Sequence, residues 1–162
     1  MKTNFLFDFS VDKENRTVNV KREFDAPLSN VWSAWTDPKI LDQWWAPKPW
    51  KSRTKSMGFK EGGQRLYAMV GPEGEEHWAL ADFKSITPKT NFKFLDGFCD
   101  NHGNINKELP RSVWNVDFTD LTDSTIVNIK IEHESLSDLE KIIEMGFKEG
   151  FTMALGNLDE LI

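Results

Sequence analysis

The sequence predicts an α+β fold: a curved antiparallel β-sheet wrapped around a long C-terminal helix, with two short helices after the first strands. Three observations carry this. Residues 50–133 hold a run of strand-like segments separated by hairpin-type turns, which favours a meander over a parallel sheet. Residues 34–47, Ala-Trp-Thr-Asp-Pro-Lys-Ile-Leu-Asp-Gln-Trp-Trp-Ala-Pro, hold three of the seven Trp residues in a short helical pattern. Residues 137–161 repeat apolar positions at helical spacing, and such a helix has one natural seat, across the concave face of the sheet.

The elements follow in order. Residues 4–11 alternate Phe5, Phe7 and Phe9 with polar neighbours, and residues 16–24 place Val18 and Val20 on one face, so the two predict a hairpin across Asp12-Lys13-Glu14-Asn15. A helix starts near Pro27, with Leu28, Val31, Trp32 and Trp35 along one side. It breaks at Thr36-Asp37, where Asp37-Pro38 opens the second short helix: Asp accepts from orphan N–H groups and Pro brings a preset φ. Ile40, Leu41, Trp44 and Trp45 load that helix, and Pro47 and Pro49 end it. Residues 50–57 read as an edge strand, and 64–70, 76–86, 90–98, 113–119 and 125–133 as the strands that follow. Ser137-Asp138-Leu139-Glu140 has the pattern of a capping box, and Ile143, Phe147, Phe151, Ala154, Leu158 and Leu161 form one stripe after it. Gly146 and Gly150 beside the stripe point to close helix–sheet packing or to space for a ligand, with close packing favoured.

A chain of 162 residues is expected to form a single domain, residues 1–162, and to bury roughly 68–70% of its unfolded surface without a staple. The one cysteine, Cys99, allows no intrachain disulfide and fits a reducing compartment. Asp8 interrupts the apolar N-terminal stretch, so neither a leader nor a membrane span is expected, and a cytoplasmic protein is the default. The net charge of −6 speaks against nucleic acid as a partner.

Twelve Phe and seven Trp against one Tyr imply either a bulky solid core or an aromatic-lined hollow. For the hollow, the expected inward-facing lining is Trp45, Tyr67, Met69, Trp78, Phe94, Trp114, Phe118, Phe147, Phe151 and Met153. His77, His102 and His133 lie in no metal-spaced or nucleophile-associated pattern, so neither a metal nor a cofactor is expected and no catalytic constellation is visible. Asp96 lies between Phe94 and Phe98, where an inward carboxylate would serve as a general base; a β-bulge turning it outward is the favoured reading. Lys48, Lys51, Arg53, Lys55 and Lys60 form a basic strip, read as edge-strand protection ahead of an acidic partner surface.

Phe24-Asp25-Ala26-Pro27 with Val31-Trp32, Ala34-Trp35-Thr36-Asp37-Pro38 with Gln43-Trp44-Trp45-Ala46-Pro47, Gly62-Gly63 with Gly71-Pro72-Glu73-Gly74-Glu75, and Gly146 to Gly150 with Phe151 occur in a recognisable order. From about residue 16 to 162 the chain resembles the helix-grip fold of the START/Bet v 1-like (SRPBCC) superfamily. More narrowly it resembles the family named for the C-terminal domain of the activator of Hsp90 ATPase (Aha1-like proteins). The resemblance implies an apolar or amphipathic small ligand held between sheet and C-terminal helix. It equally allows a cyclase- or hydrolase-like enzyme in the same cavity, for which Asp96, Arg65 or His133 would have to face inward, or a co-chaperone-like interaction module. Fold does not fix function among these, and a binding protein is the first expectation.

Overall fold

A computed structural model describes residues 5–162. Asn4 of the first expected strand, and the start of the N-terminal stretch read for a leader, lie outside the described residues. The strands are β1 (Phe7–Asp12), β2 (Thr17–Phe24), β3 (Lys51–Met57), β4 (Gln64–Val70), β5 (Glu76–Thr87), β6 (Asn91–Cys99), β7 (Ser112–Asp120) and β8 (Thr125–His133). The helices are α1 (Leu28–Thr36), α2 (Pro38–Trp44), α3 (Leu136–Glu144) and α4 (Phe147–Leu161). All eight strands join one antiparallel sheet in the order β1-β2-β8-β7-β6-β5-β4-β3. The sheet curls without closing, as expected for a helix-grip fold. The α1–α2 pair carries the chain from β2 to the far edge strand, β3.

The core lies between one face of the sheet and the helices. Period-two alternation delivers Val18 and Val20 from β2, Val127, Ile129 and Ile131 from β8, and Trp114, Val116 and Phe118 from β7 to that face. Helix α2 begins as its sequence requires: Asp37 accepts from the Lys39 N–H at 2.9 Å, and Pro38 occupies the first helical position. Trp44 is fully buried, and its indole N–H donates to the Ala34 carbonyl at 2.8 Å, tying α2 to α1. Trp35, Trp44 and Trp45 meet edge to face, at 4.8 to 6.0 Å between centroids.

The C-terminal helix departs from the sequence expectation. It is two helices, because Gly146 adopts a left-handed conformation, φ 87° and ψ 24°, between α3 and α4. Glycine takes that conformation without a Cβ penalty, so the break falls there although the apolar stripe runs through it. Ser135, not Ser137, caps α3, accepting from the Asp138 N–H at 3.1 Å. Gly150 is not a close-packing glycine, since an added Cβ would meet Pro47 at an ordinary 3.7 Å. Among the described residues no helix is long and apolar enough to cross a membrane.

Candidate functional site

Between the inner face of β4 to β8 and the α3–α4 junction lies a cavity of about 260 Å³. Protein interiors rarely hold voids larger than one water, which needs roughly 10–15 Å³ on the same measure. This space is more than tenfold larger, is partly open to solvent, and has eight Phe, Trp and Tyr side chains on its lining.

Eight of the ten expected lining residues border it: Trp45, Tyr67, Met69, Trp78, Phe94, Trp114, Phe147 and Phe151. Phe118 does not. It shares the inner face of β7 with Trp114, but lies beneath α1, with the Trp32 ring 5.0 Å away and Phe92 stacked on it at 6.0 Å. Met153 does not either. Two residues beyond Phe151 is about 200° around a helix, and its side chain is 49% exposed on the outer side of α4. The wall itself is a ring cluster: Trp114 stacks on Phe94 at 5.3 Å and meets the edges of Phe147 and Phe151 at 5.9 and 5.4 Å.

Three polar groups, Asp96, Ser112 and His133, gather at one level of the sheet. β6 keeps its alternation through Asp96, so the expected outward bulge does not occur there, and the shifts in register fall instead on β3 and β5. Asp96 faces the cavity with Ser112 beside it on β7, and Ser112 pairs directly with His133 on β8. One Asp96 oxygen accepts from the Ser112 N–H at 2.9 Å and from the Ser112 hydroxyl at 2.8 Å. The other accepts from the Trp114 indole at 2.8 Å. Burial raises the Asp96 carboxyl above its ordinary value, and these three donors oppose that rise by favouring the charged form. Because the Ser112 hydroxyl is turned to Asp96, it is not poised as a nucleophile, which would need to donate to an imidazole.

His133 is 5% exposed, and neither ring nitrogen has a hydrogen-bond partner among the described residues. A buried group left unsatisfied costs about 1–3 kcal/mol. Burial lowers its pKa below 6.5, against the pull of Asp138 on α3; Asp96 lies beyond Ser112, and the backbone N–H of His133 donates to the Arg16 carbonyl. The unfolded imidazole therefore takes up a proton at higher pH than the folded one. Its contribution to stability is intact above pH 6.5 and falls as the pH drops below it. Urea midpoints of the wild type should decline more steeply between pH 7 and 5 than those of His133→Phe; parallel curves would contradict this assignment.

The Tyr67 hydroxyl accepts from the Trp45 indole at 3.0 Å and donates to no described residue, and burial raises its pKa. Arg65, the third inward candidate, is 4% exposed but lies behind this pair, its guanidinium 3.8 Å from the Tyr67 ring centroid. It belongs to a separate network with Asp42, Ser52 and Thr54. His77 is exposed but borders the cavity, His102 is exposed away from it, and of the basic strip Arg53 pairs with Glu76 and Lys48 with Glu160. Among the described residues no group of three or more His, Cys, Asp or Glu is placed to hold a metal ion.

Ser112 is a site residue that sequence reasoning passed over, and His133, named there only as one of three residues an enzyme would need to turn inward, does border the cavity. The signal was present: the inward alternation of Trp114, Val116 and Phe118 runs back to Ser112, and that of Val127, Ile129 and Ile131 runs on to His133.

Comparison with known proteins agrees with this architecture. A protein of Arthrobacter aurescens, solved in solution, is 32% identical, with 94% of this chain and 88% of that chain covered and a TM-score of 0.89. A crystal structure from Mycobacterium smegmatis is 28% identical over 98% and 97% of the two chains, with a TM-score of 0.89. A Nitrosomonas europaea protein, 24% identical over 91% and 94%, shares the fold with a TM-score of 0.78. A search of curated proteins finds no match. The family model for activator of Hsp90 ATPase homolog 1-like protein matches residues 25–162, from the strand-to-helix junction through both C-terminal helices, and the chain belongs to that family.

Proposed function

We propose that this protein binds a small amphipathic ligand, with a mainly apolar body and few polar groups, in the cavity between the sheet and the C-terminal helices. The carrying observation is the unfilled volume of about 260 Å³ within a ring cluster that otherwise packs edge to face. Such space is close to the smallest ligand pockets, roughly 300 Å³, and has their composition, apolar walls with few polar groups. The family and fold are of a ligand-binding kind. Titration with the neutral fluorescent probe N-phenyl-1-naphthylamine tests the proposal. Saturable one-to-one binding is expected in the wild type, weakened at least about tenfold in Ala79→Phe, which fills the cavity from β5. No saturable binding, or binding undiminished in Ala79→Phe, would refute it.

Acid–base chemistry in the same cavity draws support from Asp96 and His133, which both border it. A neutral imidazole is a competent general base, but Ser112 supplies no activated nucleophile to accompany it.

A further inference from the structure

We propose that the cavity's occupant is an uncharged, hydroxyl-bearing ring compound, a phenol or cyclic alcohol, whose hydroxyl binds the His133 imidazole. This rests on the cavity reading above and adds the chemistry of the ligand's head group. His133 is buried, borders the cavity, and has both nitrogens without a partner among the described residues. A neutral imidazole offers one donor and one acceptor, and a hydroxyl meets either. The flat walls of Trp114, Phe94 and Phe151 suit a ring rather than a thin chain.

Charge disfavours the alternatives. No Lys or Arg borders the cavity, and the Arg111 guanidinium beside it is committed to Asp82 at 2.8 Å and to the Asp96 backbone carbonyl at 3.0 Å. An anionic head would therefore face Asp96 with no lysine or arginine to offset it, His77 and His133 being the basic groups on the lining. An ammonium head would find three of the four Asp96 acceptor positions already taken by Ser112 and Trp114, and it could only donate to the imidazole, whereas a hydroxyl meets either nitrogen.

Four bicyclic probes separate these cases by calorimetry at pH 7.5: naphthalene, 2-naphthol, 2-naphthoate and 1-naphthylmethylammonium. The wild type is expected to bind 2-naphthol about tenfold tighter than naphthalene and both charged probes more weakly than either. In His133→Phe the two neutral probes should bind alike, while His133→Gln, which keeps a donor and an acceptor, should retain part of the preference. In the wild type, the His133 ring ¹⁵N resonances should move with 2-naphthol and stay with naphthalene, a readout that holds even if a variant misfolds. Equal affinity for the neutral probes, a preference that survives in His133→Phe, or tighter binding of a charged probe would overturn the proposal while leaving the cavity reading intact. Failure of every probe to bind would overturn both.

Discussion

Trp44→Ala is expected to cost about 3–5 kcal/mol of folding stability, a large share of the roughly 5–15 kcal/mol typical of a domain. Trp44 has no exposed surface, and it is where α1, α2 and the ring cluster meet. Alanine removes the whole indole, leaves a cavity that neighbouring rings cannot fill, and strips the Ala34 carbonyl of its donor. Trp44→Phe divides the loss: it keeps most of the area but still orphans that buried carbonyl, at a cost of about 1–3 kcal/mol. Trp50, half-buried and touching the exposed His77 ring, is the control. Urea unfolding of Trp44→Ala, Trp44→Phe and Trp50→Ala should rank them in that order of damage. If Trp44→Ala unfolds no more readily than Trp50→Ala, the junction does not depend on this indole.

The second large effect is asymmetric. Asp42→Ala is expected to destabilise by about 3–5 kcal/mol, and Arg65→Met by about 1–3 kcal/mol, although they form one ion pair. The difference lies in what each partner keeps. Without Arg65, the Asp42 carboxylate still accepts from the Ser52 hydroxyl at 2.9 Å and from the Thr54 N–H and hydroxyl at 2.9 and 2.7 Å, and its side chain is 27% exposed to water. Without Asp42, the Arg65 guanidinium is a buried cation left with two neutral hydroxyl acceptors, Ser52 at 2.9 Å and Thr54 at 3.2 Å, and the face of Tyr67. The double variant should therefore be more stable than Asp42→Ala alone, because removing the stranded cation relieves the penalty. Equal single-variant losses, or a double variant at the sum of both, would show that the pair is solvated more than its burial indicates.

The fold was legible in the sequence because its signals are local. Asp37-Pro38 starts α2 by backbone chemistry that neighbours do not alter, and strand alternation runs from Ser112 to Phe118 in β7 and to the last residue of β8. The errors arise where a residue's environment is set by elements distant in sequence. Phe118 and Trp114 share a face of one strand, and only the seat of α1 over one and of the α3–α4 junction over the other separates core from cavity. Asp96 read as outward-turned because its donors are on the neighbouring strand, where no spacing rule reveals them. Helical periodicity through Gly146 predicts continuity, since a pattern of apolar residues carries no record of one backbone dihedral.

That dihedral divides the C-terminal segment into two cooperative units. α4 buries Phe151, Ala154, Leu155, Asn157 and Leu158, and Asn157 donates to the Ala46 carbonyl at 3.0 Å. α3 buries only Leu139, while Ile142 and Met145 from its end border the cavity. The weaker unit thus roofs the cavity and the stronger one closes the core. The free energy of local opening at the roof is set by the few contacts of a nine-residue helix, so the roof can shift at a smaller cost than the one that holds the protein folded.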